Sequence, residues 1–334
     1  MREMKVLDKE SGVMRPLRYG DIVILLRSSA EIDEVFQEVL GKQEIPCFIS
    51  SRTGYFQTSE VQVILQLLRV VYRGVAVQRT KASACIVVYN GGEEAAGAAR
   101  SLLEHTRGVE LSLTLVDNAS PDGSGAWMEQ QDFGPQARVL RLPQNAGFGK
   151  GHNAVLPELR SAYHFVVNPD ITLDDDAISQ LCAWMDAHPD VVMATPQLRF
   201  PDGTEQYTAK RRPTFLALLA RQLPLPFLKG IETHYLMLDE DLTKPQEIDF
   251  CTGCFFVMRT EAFRKMGGFD ESYFMYVEDA DITRKAQSYG KVMYVPDVHV
   301  YHAWHRDARK KWKNIWMQIR SMLHYWCKWG FRFV

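Results

Sequence analysis

Three apolar runs limit what this chain can fold into. "ACIVVYN", "LSLTLVDNAS" and "YHFVVNPDI" each read as a buried strand that stops on Asn, Asp or Pro. Helical spacing fills the gaps: "EEAAGAARSLLEHT" follows the first run, and the short strand "ARVLRLP" and the mostly helical "GKGHNAVLPELRS" precede the third. Strands alternating with helices predict an α/β fold with a mostly parallel sheet. Ligands of such sheets collect at the carboxyl ends of the strands. Tyr89 and Asn90, Asp117 and Asn118, and Asn168 and Asp170 all fall at those ends. Any one of these groups is explained by ordinary turn chemistry. Three sheet ends that all carry side chains able to bind a nucleotide or a metal shift the balance toward a site.

The first 78 residues have a different rhythm. "DIVILLRS" reads as a strand, "AEIDEVFQEVLGK" as a helix with Ile32, Val35, Phe36 and Val39 on one face, "IPCFIS" as a strand and "TSEVQVILQLLRVVY" as a second helix. "DIVILLRS", "IPCFIS" and "GYFQTSEVQVILQLL" make residues 15 to 70 resemble part of the motor region of a bacterial ATP-dependent helicase/nuclease. The phosphate loop that a motor needs is missing, since "GFGKGH" around Lys150 has the wrong spacing and lacks the Ser/Thr. This argues against an autonomous helicase, and nucleic acid is not an expected partner. The segment reads as a fused fragment, a gene-boundary artefact or a small α/β unit of its own, with a boundary near residue 78.

At 334 residues the chain exceeds one typical domain, and its net charge of -2 gives no reason to expect a polyanion partner. "MREMKVLDKE" has no apolar core segment, and the six cysteines are scattered, so a reducing cytoplasmic setting is expected. Cys251 and Cys254 form a lone C-x-x-C without partners at zinc spacing, and "CTGCFFVM" reads as a buried strand instead. No run reaches the roughly 20 apolar residues that span a bilayer. "PTFLALLARQLPLPFL" is broken by Arg221, Pro224 and Pro226 and reads as a surface-packed helix.

Asp117 can accept a hydrogen bond from a base N–H or a ribose hydroxyl, and Asp170 is a hard oxygen ligand for Mg²⁺ or Mn²⁺ on a diphosphate. "NAGFGKGHN", Asn145 to Asn153, is glycine-rich and enters a helix, which suits either close approach to a ligand or a flexible helix entry. Further on, Glu278, Asp279 and Asp281 follow the aromatics Tyr273, Phe274 and Tyr276. Acids at a helix start are favoured by the helix dipole, and a dry carboxylate there can also take a proton.

Six blocks in order, "CIVVYNGG", "LVDNASPDGS", "NAGFGKGHN", "VVNPD", "GCFFVMRTEAFRKMGGFDESYFMYVEDADITRKAQSYG" and "VYHAW", make residues 82 to 334 resemble glycosyltransferase family 2 with its GT-A fold. Within that family the likeness is to rhamnosyltransferase-like members of cell-surface polysaccharide synthesis. The resemblance implies a GT-A domain over 79–305 and an inverting transfer from a nucleotide-diphosphate sugar, with dTDP-L-rhamnose as the candidate donor. The acceptor would be a saccharide or lipid-linked saccharide. It implies Tyr89, Asp117, Asn118, Asn145, Gly147, Asn153 and Asn168 as donor-binding residues. Asp170 and His302 would hold Mg²⁺ or Mn²⁺, with His305 a weaker candidate. Asn168 stands where many relatives carry the first acid of an Asp-x-Asp. Asp279 matches the general base, with Glu278 supporting it; Asp281 is expected in an ion pair with Arg284. The three aromatics are expected to wall the site or to pack in the core.

The tail 306–334 is basic, and Trp312, Trp316, Ile319, Leu323 and Trp326 form one helical stripe. The stripe either packs on the domain, the reading slightly favoured, or lies on an anionic membrane at its inner face. Two other function classes compete with a transferase: a non-catalytic nucleotide-sugar or glycan-binding module, and a DNA-processing component. The intact "VEDAD" and "NPD" blocks argue against the first, and the missing phosphate loop against the second.

Overall fold

The computed structural model describes residues 5–7, 14–16, 39–40, 42, 81–222, 225–304 and 312–333. The chain divides into two units, Met1–Gln78 and Arg79–Val334. In the first, β1 (Lys5–Leu7) pairs antiparallel with β2 (Met14–Pro16). Val39, Leu40 and Lys42 are helical, at the end of the helix expected there. The strands expected at "DIVILLRS" and "IPCFIS" and the helix at "TSEVQVILQLLRVVY" lie outside the described residues.

The second unit is built on a ten-stranded mixed sheet. Its parallel half is β3 (Lys81–Val88), β4 (Glu110–Asp117), β5 (Ala137–Arg141) and β6 (Tyr163–Val167), in spatial order β6-β3-β4-β5. The register sets Val88 opposite Asp117 and Ile86 opposite Val167, so the three polar strand ends emerge side by side. The expected third long strand stops at Val167. Asn168 and Asp170 form a turn, and β7 (Ile171–Thr172) leaves to pair with a distant strand.

β8 (Val191–Arg199), β9 (Glu205–Gln206), β10 (Ala209–Lys210), β11 (Gln246–Glu247), β12 (Phe250–Cys251), β13 (Phe255–Arg259) and β14 (Lys291–His302) complete the strands. β13 runs antiparallel to both β6 and β8, whereas β14 is parallel to β8. "CTGCFFVM" is thus two strands interrupted at Thr252, Gly253 and Cys254. The described cysteines, Cys85, Cys182, Cys251, Cys254 and Cys327, are free thiols.

Nine α-helices are described in the second unit. They are α1 (Gly92–His105), α2 (Ser124–Glu129), α3 (Phe148–Asn153), α4 (Ala177–Ala187), α5 (Phe215–Gln222), α6 (Lys229–Tyr235), α7 (Thr260–Lys265), α8 (Glu278–Ala286) and α9 (Trp312–Trp329). They cover both sheet faces. Ala95, Ala99 and Leu102 of α1 and Ile178 and Leu181 of α4 join one core with Ile86, Leu115 and Phe165. Phe263 of α7 and Ile282 of α8 join the other with Val116, Val166 and Phe256. Each fully buried Val, Leu, Ile or Phe contributes about 1.5–3 kcal/mol. Both faces of the central strands are covered, which is why they read as unbroken apolar runs. No helix among the described residues is long and apolar enough to cross a membrane.

Candidate active site

The backbone turn after β3 is shaped by its neighbour. Asn118 N donates to the Val88 carbonyl, Asn90 N to Ser120 Oγ, and Gly91 N to Asp122. Tyr89 is left half exposed at the strand end, free to meet a flat ring. Asp117 is buried; it accepts from Ser120 N at 3.1 Å and lies 3.7 Å from Arg141. Asn118 commits both amide ends to the glycine-rich loop, donating to Gly147 O and accepting from Ala146 N. Asn145 Oδ1 accepts from Gly147 N, and Asn153 clamps Phe269 through its N–H and carbonyl. Asn118, Asn145 and Asn153 therefore position backbone.

Gly147 has φ +86°, and a Cβ there would stand 2.2 Å from the Phe274 carbonyl oxygen, to which Phe148 N is bonded. Side chains at Gly149 and Gly151 would collide with Phe269 and Val87. In this structure the glycines let protein approach protein, fastening the loop to the segment before α8.

The next strand end holds a carboxylate and an imidazole together. Asp170 Oδ2 is 3.4 Å from His302 Nε2 and accepts from Trp304 N. Burial pushes the Asp170 carboxyl up, but its bonds to His302 and Trp304 outweigh this and bring it below its ordinary value. On the far side of the ring, Gln206 donates its amide to the His302 carbonyl and presents Oε1 to His302 Nδ1 at 2.9 Å. In the neutral ring Nδ1 then carries the proton and Nε2 turns a lone pair toward a carboxylate oxygen; only the doubly protonated ring donates to Asp170 through Nε2. A divalent cation between them, or a second proton on the ring, relieves that arrangement. The donor set fits Mg²⁺ or Mn²⁺ with open positions left for other oxygens. Among the described residues no three His, Cys, Asp or Glu side chains gather around a metal. His305 lies outside the described residues.

The acids of α8 separate cleanly. Asp279, deep but partly exposed, accepts from Gly253 N at 3.1 Å and Ala280 N at 2.9 Å. Gly253 precedes Cys254, whose carbonyl accepts from Asn168 N, so short backbone links join Asp279 to the Asp170 turn. Burial raises Asp279 above its ordinary pKa, opposed by Lys210 and the two backbone donors. Glu278 is buried, its Oε2 has no partner, and burial together with the Asp279 charge pushes its pKa well up. Glu278 is thus the member of the pair that keeps a proton, and Asp279 the one supported as an anion.

Asp281 is fully buried and pairs with Lys328 at 2.8 Å and Trp329 Nε1 at 2.6 Å, which corrects the expected partner, Arg284. Arg284 instead stacks on the Trp329 ring. Tyr273 is core, edge-on to His324, while Phe274 is exposed.

Lys210 was not singled out in the sequence. It is buried, donates to Thr252 Oγ1 at 2.8 Å, and lies over the Phe250 ring. Burial and Arg221 lower its pKa to about 8, against the pull of Asp279. Gln206 was also missed. A Lys and a Gln four residues apart carry no motif, and only the fold brings them to the site.

Comparison with known proteins decides the family. The family model described as glycosyl transferase family 2 matches residues 83–267, more than half of the chain. The chain belongs to glycosyltransferase family 2. It is 28% identical over 206 residues to an N-acetylglucosaminyl-diphospho-decaprenol L-rhamnosyltransferase of Mycobacterium tuberculosis, covering 58% of this chain and 66% of that relative. It therefore spans just under two thirds of that relative's length. A UvrD-like helicase C-terminal domain model matches residues 6–85. Over 70 residues the chain is 44% identical to an ATP-dependent helicase/nuclease of Desulfitobacterium hafniense, covering 21% of this chain and 5% of the relative.

Among solved structures, GalNAc-T7 with UDP, GalNAc and Mn²⁺ superposes with a TM-score of 0.57 at 15% identity over 76% of this chain and 48% of that one. The mannosyltransferase PcManGT from Pyrobaculum calidifontis, with GDP-Man and Mn²⁺, gives 0.50 at 14% over 79% and 70%. The fold of the second unit is GT-A, as the resemblance implied.

Proposed function

We propose that this family 2 chain is an inverting glycosyltransferase in cell-surface polysaccharide synthesis. It would move a sugar, with L-rhamnose from dTDP-L-rhamnose as the first candidate, onto a hydroxyl of a lipid-linked saccharide at the cytoplasmic face of a membrane. The observation that carries this reading is Asp279: a partly accessible carboxylate, held by two N–H groups, two backbone links from the Asp170–His302 pair.

In this scheme the acceptor oxygen forms a bond to the anomeric carbon while its proton passes to Asp279. The bond from that carbon to the diphosphate breaks on the opposite face, which inverts the configuration. Asp170 Oδ2 and His302 Nε2 would hold Mg²⁺ or Mn²⁺, which supplies neutralisation of the charge growing on the diphosphate. Tyr89, Asp117 and Asn168 stand at the strand ends where the nucleoside and sugar would lie. Asn118, Asn145, Gly147 and Asn153 serve the donor indirectly, by fixing the loop beside it.

The test is a donor screen that reads released nucleoside diphosphate, with and without Mn²⁺ or Mg²⁺, on the full chain. Asp279→Asn should lower turnover by roughly 10²–10⁴-fold with donor affinity largely kept. Near-normal turnover of that variant would remove Asp279 from the reaction, release without any acceptor product would favour a hydrolase, and no release from any donor would favour a non-catalytic binding module.

A further inference from the structure

Helix α9 faces two ways. Its inner side, Ser321, Met322 and Tyr325, is buried, and Lys328 and Trp329 close on Asp281. Its outer side carries the aromatic stripe. Trp312 is 78% and Trp316 68% exposed, with Ile319 and Leu323 exposed beside them; of the stripe only Trp326 packs on the domain, against the Tyr273–Tyr325 cluster, so most of it does not pack as the sequence favoured. Phe331 and Phe333 extend the apolar surface; Phe215 N and Leu216 N bond the carbonyls of Arg332 and Phe333, fixing the tail against α5. Between them lies an open groove of about 540 Å³ lined by Phe215, Leu323, Trp326, Cys327, Phe331 and Phe333. Exposed apolar surface of this extent marks a docking site.

Charge selects the occupant. Residues 308–334 contain seven Lys or Arg and no Asp or Glu. Arg320 and Arg332 are exposed on the described part of the segment. A second copy docking through the same face would set Arg320 and Arg332 against the same cations of its partner, with no acid on that segment to offset them. Trp flanked by cations is the pattern of a helix lying in the headgroup region of an anionic membrane.

We propose that the outer face of α9, with the Phe331–Phe333 tail, is a docking surface for an anionic lipid bilayer. Because Lys328 and Trp329 grip Asp281, two residues from Asp279, docking also holds the catalytic helix α8 at a set height above the headgroups. This deepens the proposed transfer to a lipid-linked acceptor and rests on that reading only for the second point.

The test is sedimentation of the full chain with vesicles of phosphatidylglycerol and phosphatidylcholine, against phosphatidylcholine alone. Binding is expected only to the anionic vesicles, to weaken at high salt, and to fall about tenfold or more in a Trp312→Ala/Trp316→Ala/Leu323→Ala variant. A circular-dichroism melt confirms that the variant is folded. Turnover on a water-soluble acceptor should be unchanged in it, and turnover on a polyprenyl-diphosphate saccharide in the same vesicles should drop. Absence of binding to anionic vesicles at low salt overturns the proposal. So does unaltered binding by the triple variant, or self-association by sedimentation equilibrium that the variant abolishes while lipid binding is nil. Vesicle binding needs no donor, so its failure is separable from failure of the transferase reading.

Discussion

At the residue scale, the two side chains that the motifs left out explain how the ones they named can work. Gln206 fixes which nitrogen of His302 holds its proton, and so leaves Nε2 to face Asp170. Losing such an orienting partner typically costs 10–100-fold in metal affinity. Gln206→Leu should therefore raise the Mn²⁺ concentration for half-maximal turnover by about that factor, with turnover at saturating metal nearly restored. Lys210 acts on the base. Asp279 works ionised, and burial has raised its pKa, so activity should climb with pH through a range above that of an ordinary carboxylate. The Lys210 charge pulls that range back down. Lys210→Met removes the pull, so the acidic limb of the kcat/KM profile should move to higher pH. An unmoved limb would show that Lys210 has only a packing role. The strand-end residues were legible because Asp, Asn and Pro interrupt apolar runs. Gln206 and Lys210 were not, because their meaning depends on β9 and β10 crossing to His302 and Thr252.

At the element scale, the alternation of strands and helices was readable because the central strands β3 and β6 are buried on both faces along nearly their whole length, while β4 begins with an alternating pattern. The antiparallel insertion of β13 between β6 and β8 was not, since order within a sheet is a tertiary choice. The link between α8 and α9 was hidden too: Asp281 and Lys328 lie 47 positions apart, and Arg284 offered a nearer partner by helical spacing. That link is a strong one on physical grounds. Asp281 is wholly buried, and a buried charge stripped of its partner costs about 3–5 kcal/mol. Lys328 is itself 30% exposed, so solvent screening takes the cost below that range. Lys328→Met should lower unfolding stability in urea by about 2–3 kcal/mol, and Lys328→Met/Asp281→Asn should recover part of it. The backbone before α8 adds to the same construction. Tyr276 and Val277 both have φ +71°, a costly conformation for a β-branched residue. The turn is held by Ser321 Oγ on the Met275 carbonyl and Phe148 N on the Phe274 carbonyl. The loop, the catalytic helix and the terminal helix thus share one set of fastenings.

At the scale of the whole molecule, the question is what the first 78 residues add. Every residue placed in the reaction, from Tyr89 to His302, lies in the unit Arg79–Val334, and so do both hydrophobic clusters beneath the site. β3 begins at Lys81 and is flanked on both sides by strands of the same unit, so its edges need nothing from the front segment. A unit with its own core and a boundary at its first strand is expected to fold by itself. The front segment matches a helicase domain model over residues 6–85 but has no phosphate loop, and it overlaps the transferase match by only three residues, 83–85. A chain beginning at Arg79 should therefore release nucleoside diphosphate at the rate of the full chain and show the same Mn²⁺ dependence. Neither form should hydrolyse ATP in the presence of DNA. If the shortened chain folds, by its circular dichroism and a cooperative melt, yet loses turnover, then the front segment contributes to the site. DNA-stimulated ATP hydrolysis by the full chain would instead reopen the motor reading that the missing phosphate loop argues against.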